Sequence, residues 1–424
     1  MRKMLKMSIA AAMVMGIGSV SAQADGVDIV SNVSVKGEIR ARYEMVDSDA
    51  GTDQNANAFT NRLKIGVAGD LLGTDWLSAY VEMTDVRAIN DNYDDTNNDN
   101  GNEANQVVAD PEQTRVTQAY VDAKFGNTNV RLGRQMINLD NQRFVGAVGW
   151  RQMFQTFDAV TVTNSDIENL SLFGSYVTQI NRVFDEKDSD GSGKRDTRTL
   201  LLNASYKVMP ELKVTGYSYM IGEGTAGGGT DTHGIALTGN VALDGMKVNY
   251  RAEYAMQDDP SMEASGYNGA AQKADADYMR IDLGMNMGGI LAGIGYESLS
   301  GANASGSETA FATPLATLHG KNGWNDQFLA TPAGGIEDTS VYVGYKSKDF
   351  GLLKVVYHSF DAESSQSTDY GTEIDAVYKR GIPGVKNLGG LIKLAAFDAD
   401  TNNVDGKVDT TKVWAMLTYK FASK

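Results

Sequence analysis

Residues 247–254 read Lys247-Val248-Asn249-Tyr250-Arg251-Ala252-Glu253-Tyr254. One parity is charged or amidic, and the other is aliphatic or aromatic. A β-strand points successive side chains to opposite faces, so this run has one apolar face and one wet face. If the apolar face meets lipid, a one-residue slip would put Lys247, Arg251 and Glu253 into hydrocarbon, at a cost on the order of 5–10 kcal/mol. About eighteen runs of this kind occur between Val33 and Phe421. Most span about ten to fourteen residues, close to what a tilted strand needs to cross a bilayer.

The connections sharpen the reading. One set is tight: Gly73, Gly126, Met209-Pro210, Asp244-Gly245 and Gly288-Gly289, with 347–349 and 380–386 somewhat longer. The other set is long: 46–58, 87–113, 138–154, 184–195, 223–230, 258–274, 300–337, 362–369 and 400–409. Tight and long connections alternate through the whole chain. That asymmetry predicts an all-β fold, a transmembrane antiparallel up-and-down β-barrel of about 18 strands with short periplasmic turns and long external loops. The 6 prolines all fall in the proposed connections, where a missing N–H does no harm.

Composition excludes other classes. The formal charge of −16 argues against nucleic-acid partners and against a basic membrane-surface patch. Arg2, Lys3 and Lys6, the apolar stretch 7–20 and the Ala22-Gln23-Ala24 site form a secretory signal. The expected division is therefore a signal peptide over 1–24 and a single barrel domain over 25–424. Beyond the signal no apolar run approaches the length of a membrane helix. The chain has 0 cysteines, and a closed, fully hydrogen-bonded barrel needs none. The expected location is the outer membrane of a Gram-negative bacterium. The expected partners are its lipid and lipopolysaccharide, the barrel-assembly machinery, and small hydrophilic solutes.

Parity assigns the faces. A cation on the lipid face near mid-membrane costs about 2–4 kcal/mol, so the charged parity must face the lumen. This places Arg40, Arg42, Arg62, Lys64, Arg131, Lys207, Lys247, Arg251, Arg280, Lys412 and Lys420 inside. Glu38, Glu44, Glu82, Glu253, Asp282, Glu373 and Asp375 join them. Two readings stay open: a solvated wall tied by cross-strand ion pairs, or a basic track that draws anionic solutes along it. Tyr43, Tyr250, Tyr254, Tyr345, Tyr378, Tyr419 and Phe421 lie near strand ends on the lipid parity, as aromatic girdles require.

Residues 133–158 read GRQMINLDNQRFVGAVGWRQMFQTFD. Within them stand Gly133-Arg134-Gln135, Asn138, the run from Asp140 to Gly146, and Gly149-Trp150-Arg151-Gln152. A second segment holds His319-Gly320, Asn322-Gly323-Trp324, Asp326 and Thr331 to Gly335. On these two motifs the chain resembles the alginate-export family of outer-membrane β-barrels. The resemblance implies an eighteen-stranded barrel that passes solutes, in the name-giving members an anionic polysaccharide through a basic lumen. Two departures stand out: carboxylates dilute the lumen cations here, and the chain ends Tyr419-Lys420-Phe421-Ala422-Ser423-Lys424 rather than on an aromatic residue.

Loop 138–154 is long enough to fold into the mouth. Arg134, Arg143 and Arg151 would there offer forked donors to carboxylates. The competing reading has Asn138, Asp140 and Arg143 tie the loop to the wall. Acidic stretches 90–103 and 185–196 hold many oxygen ligands. In the second, Thr197 stands where an EF-hand needs a bidentate Glu, so no metal is expected. The 3 histidines have no metal-ligand spacing, and His358-Ser359 lacks a Gly-x-Ser-x-Gly elbow. No cofactor or catalytic constellation is expected. The sequence thus points to an outer-membrane porin for passive diffusion of small hydrophilic solutes, anions among them. A polysaccharide exporter, an adhesin or receptor acting through acidic loops, and a barrel-resident hydrolase are the alternatives.

Overall fold

The computed structural model describes residues 23–423 except 25–26, 52–53, 98–99, 186–192, 223–228, 263–272, 303–307, 365–368 and 404. Most of the expected signal peptide and the core of the second acidic loop lie outside the described residues. The first six strands are β1 (Val30–Ser48), β2 (Ala56–Leu71), β3 (Leu77–Asn92), β4 (Gln113–Phe125), β5 (Thr128–Gln135) and β6 (Thr156–Asn164). The next six are β7 (Leu170–Asn181), β8 (Lys194–Met209), β9 (Leu212–Ile221), β10 (Thr230–Leu243), β11 (Met246–Asp258) and β12 (Lys273–Met287). The last six are β13 (Ile290–Leu299), β14 (Ile336–Ser347), β15 (Gly351–Asp361), β16 (Gly371–Gly381), β17 (Leu388–Ala399) and β18 (Thr410–Ala422).

Each strand pairs antiparallel with its sequence neighbours, and β18 closes on β1 through a register running from Thr410↔Ser48 to Ala422↔Lys36. Closure leaves no unpaired edge, so every strand N–H and C=O can be satisfied without water. A two-residue piece, Glu308–Thr309, runs parallel beside β12.

The alternation in the sequence becomes the two faces of this wall. Ile235, Ile281, Val343 and Ile392 point outward and are 51–60% exposed, whereas Arg42 and Glu44 point inward and are 1% exposed. The tight turns use residues that tolerate the left-handed region, with Gly245 at φ 71° and Gly288 and Gly289 at φ 59° and 93°. The largest boundary difference from the sequence reading is β3, which continues to Asn92 rather than ending near Val86. With β1 at 19 residues and β2 at 16, these strands exceed the ~9–11 residues that cross hydrocarbon. The wall therefore stands above the membrane on the long-loop side and forms a mouth.

The lumen holds more apolar surface than parity alone suggests. Phe157, Tyr217, Tyr219, Tyr278, Phe360, Tyr370 and Phe397 cluster inside the barrel with Ile137, Phe144, Phe311, Leu315 and Phe328 from two loops. The wall aromatics sit on the same parity as the charged residues but toward the external ends of their strands. They give the incoming loops an apolar seat.

Candidate functional site

Two long loops fold inward and meet. The first, between β5 and β6, carries the 138–154 motif. The second, between β13 and β14, carries the motif around His319. Val145 and Leu315 form a parallel bridge, the Gly146 N–H donates to the Leu315 carbonyl (2.9 Å), and the Thr317 N–H donates to the Gln142 carbonyl (3.0 Å). Backbone strain concentrates here: Asp140, Gln142, Val148, Asn322 and Asp326 all have positive φ. For a β-branched residue such as Val148, at φ 51°, this conformation persists only when surrounding contacts over-determine it.

Those contacts come from opposite walls. On one side Arg40 donates to the carbonyls of Gly149 and Trp150 (3.2 and 3.0 Å), and Arg42 to that of Trp150 (2.6 Å). Arg62 donates to the carbonyls of Arg151 and Gln152 (3.2 and 3.0 Å). Arg42 also pairs with Asp110, which accepts the Gln152 N–H at 2.8 Å, and Arg62 pairs with Glu38. Across the barrel Phe144 packs among Tyr217, Tyr219, Tyr278 and Phe311, with ring centroids 5.1–6.2 Å apart. Since β1 and β2 lie roughly half a circumference from β9 to β12, the first loop spans the lumen. Truncation of Phe144 to Ala should cost about 3–5 kcal/mol of loop docking. Faster proteolysis of the 138–154 segment in intact barrels, with the wall still resistant to unfolding, is the expected result.

The second loop answers an acidic stretch of wall. Glu297 and Asp338 are direct register partners on β13 and β14, a like-charge pair that destabilises a bare sheet. Arg143 pairs with Glu297 at 3.1 Å, and Asn322 donates to Glu297 and Asp338 at 3.0 and 3.4 Å while accepting from Arg143 at 3.0 Å. The backbone N–H groups of Trp324 and Asn325 both donate to the buried Glu373. Gly323 permits this approach, since it has φ 81° and a Cβ there would sit 2.5 Å from the Glu373 carboxylate. Gly323→Ala should therefore expel this turn from the wall, read as loss of protection of the 324 and 325 amides in hydrogen exchange.

The motifs lock to each other through a small buried cluster. Arg151 pairs with Asp326 at 3.0 Å and with Glu44 at 3.4 Å. His319 stacks on Trp150, with centroids 4.2 Å apart and planes 7° from parallel. Its Nδ1 lies 2.9 Å from Asp326 and its Nε2 lies 2.6 Å from the Lys393 ammonium. An ammonium only donates, so Nε2 accepts and Nδ1 carries the proton given to Asp326. Burial, partly offset by Asp326, depresses the His319 pKa to about 4. Lys393 also lies over the rings of Trp324, Trp150 and Trp414 at 4.0–5.2 Å, so its charge sits in an aromatic cage.

The predicted residues separate into groups. Arg40, Arg42, Arg62, Arg143 and Arg151 are in the lumen but hold the loops rather than standing free. Arg131 pairs with Asp122, Arg251 with Glu253, and Arg280 with both Asp282 and Glu297, as the ion-paired-wall reading expects. Lys64 sits 3.6 Å from Glu82. Asn138 accepts the Ala147 N–H (2.8 Å), and Asp140 accepts from Asn203 (2.8 Å). Both tie the first loop down, as the second reading of those residues expects.

Arg134 requires a correction. It lies on the outer face of β5, level with the exposed Leu132, and forms a bidentate pair with Asp158 (2.8 and 3.1 Å), so it neither lines the pore nor sits in the mouth. Lys247 remains exposed to the lumen. It shares the inward parity of Asn249 and Arg251, which with Lys207 and Lys213 line a basin of about 440 Å³ at the periplasmic end, where Asp282 is the carboxylate among the lining residues. Lys213 is a lumen cation beyond those expected from the sequence, and its parity with Thr215 and Tyr217 on β9 marks it as inward-facing.

A closed barrel with an apolar exterior, a charged interior and two inward loops defines a protein of the outer-membrane porin type. The alginate export family model matches residues 31–258, more than half of the sequence, and the chain belongs to that family. No curated protein matches it significantly. Among solved structures it is similar to OccAB4 of Acinetobacter baumannii, with 13% identity, TM-score 0.69, and coverage of 93% of this chain and 99% of that one. OccK9 (OpdG) of Pseudomonas aeruginosa gives 16%, 0.70, 92% and 99%. OpdK of the same organism, solved with vanillate, gives 10%, 0.68, 92% and 99%. At these identities the likeness speaks for the fold.

Proposed function

We propose that this barrel is a passive channel in the outer membrane of a Gram-negative bacterium, that it passes small hydrophilic solutes, and that it favours anions. The observation that carries the reading is the pairing of an inner constriction with free lysines below it. The two loops narrow a lumen whose arginines are already engaged. Solutes small enough to pass then meet Lys207, Lys213 and Lys247, for which no carboxylate partner exists among the described residues. Such a basin concentrates anions through its local potential. The similar OpdK is crystallised with vanillate, a small carboxylate, which fits this class of solute.

A polyuronate exporter is the weaker reading, because a polymer would have to thread past a loop that spans the lumen. No arrangement of His358 supports hydrolysis. Its Nδ1 bonds Asp338 at 2.7 Å, its Nε2 faces Asp375 at 3.7 Å, and the ring stacks on Phe360, so we assign no enzymatic role.

Planar-bilayer recording tests the proposal. Purified protein should give stepwise currents with a reversal potential of anion-preferring sign under a salt gradient. The combined substitution Lys207→Glu, Lys213→Glu and Lys247→Glu should shift that potential toward cation preference while the currents remain stepwise. A silent protein, or a potential unmoved by the triple change, contradicts it.

A further inference from the structure

Two arginines on the outer wall each carry a carboxylate partner. Arg134 carries Asp158, and Arg87 carries Asp85 at 2.6 Å. Arg380 differs. On β16 it shares the outward parity of Ile374 and Tyr378, and it has no ion pair or hydrogen bond among the described residues. Its Nε is buried without a partner. It lies next to the short connection between β16 and β17, on the periplasmic side. Tyr345, Phe350 and Tyr378 form a run of rings with centroids 5.4–5.6 Å apart, and this girdle marks the membrane interface at that level. Arg380 is one strand repeat below Tyr378, so its guanidinium lies at headgroup depth.

The wall above it is hollowed. Arg380 is the register partner of Gly390, Gly390 of Leu417, and Leu417 of Ala41. The next row runs Tyr378–Ile392–Ala415–Tyr43. Ala41 and Ala415 leave a depression between the larger Tyr43, Ile392 and Leu417, and Ile382 closes over Gly390 at its lower end. Its volume of about 420 Å³ falls within the ~300–1,000 Å³ typical of small-molecule sites, and its surface is almost wholly apolar apart from Arg380.

We propose that this groove binds one glycerophospholipid of the periplasmic leaflet, with its phosphate on the Arg380 guanidinium and an acyl chain running past Ile382 along Ala415 and Ala41. A guanidinium fork matches a phosphate in a bidentate geometry. The lipid supplies the anion that Asp158 and Asp85 supply to Arg134 and Arg87. Lipid is the occupant because the groove opens on the face that meets hydrocarbon. A periplasmic-leaflet phospholipid is favoured over an outer-leaflet glycolipid because the cation sits at the short-turn end.

Native mass spectrometry on the purified full barrel, released from detergent micelles doped with phosphatidylglycerol, tests this. The wild type should keep one phosphatidylglycerol after the micelle is stripped. Arg380→Glu should drop retention to background, and Ala415→Phe should do the same by filling the groove. Arg87→Ala, whose guanidinium is already paired, should leave retention unchanged. Equal retention by wild type and Arg380→Glu overturns the site, as does equal loss in Arg87→Ala, or a wild type that flies as a lipid-free dimer through this face. Channel currents of Arg380→Glu should match wild type, so the outcome is independent of the transport proposal.

Discussion

Replacing Ile137–Phe154 by Gly-Gly will raise the single-channel conductance several-fold. The shortened link is feasible because Gln135 and Phe157 are register partners, so the strand ends it must join are adjacent. The loop removed is the one that reaches from Arg40, Arg42 and Arg62 on one wall to the tyrosines on the other. Without it the lumen widens, and three wall arginines lose the carbonyls that now occupy their donors. Their remaining partners Glu38, Glu44 and Asp110 stay in place, so these three arginines keep their ion pairs while guanidinium edges turn to water. Unchanged conductance in bilayers would mean that the loop does not limit flow.

Acidification will loosen the constriction between about pH 6.5 and pH 4. Docked, His319 is neutral and protonates only near pH 4, whereas a released loop protonates near the ordinary histidine value of ~6.5. The group is therefore depressed in the docked state. Its contribution is intact above ~6.5 and is lost as pH falls, reaching roughly 3 kcal/mol at pH 4 and below. The groups around it explain the sign. Lys393 sits 2.6 Å from Nε2, so a second proton there would face two donors at each other. Asp326 balances part of this, but its charge is already shared with Arg151 and with Lys412 at 3.9 Å. Although burial opposes ionisation of Asp326, His319, Lys412 and Arg151 hold its pKa far below the usual carboxylate range, so it stays an anion across this window. Current noise and mean conductance should rise on going from about pH 7.5 to about pH 4.5. His319→Gln, which keeps an acceptor and a donor but does not titrate, should flatten the response. A wild-type trace insensitive to pH over this range contradicts the assignment.

Much of this architecture could be read from alternation because a strand has a period of two and lipid penalises error. Lys247 to Tyr254 allows one register only, and the same logic placed Arg62, Arg251 and Arg280 inside. The loop motifs were also legible as special segments, but their destination was not. Nothing in the local pattern of 138–154 says that its carbonyls will meet Arg40 and Arg62, more than seventy residues away. A weak signal did exist. Tyr217, Tyr219, Tyr278 and Phe360 share the charged parity, and bulky rings facing a lumen need something to pack against. Arg134 shows the opposite failing. Counted from the inward Arg131, its parity already sends it to the outer wall, although it opens a motif that is otherwise inward. The free lysines of the basin follow from parity. That they are free does not, because carboxylates and cations both occur on that face and only the register decides which meet.

The central claim is that the two motif loops touch inside the lumen and set its bore. The chain contains 0 cysteines, so one engineered pair gives an unambiguous signal. Val145→Cys with Leu315→Cys places thiols at a backbone bridge, where Cα separations suit a disulfide of about 4.4–6.8 Å. Mild oxidation of the barrel in membranes should crosslink the pair nearly completely and leave the stepwise current at its wild-type size. If both thiols instead stay free and label readily with a maleimide added from outside, the loops are not joined across the channel, and the constriction described here does not exist.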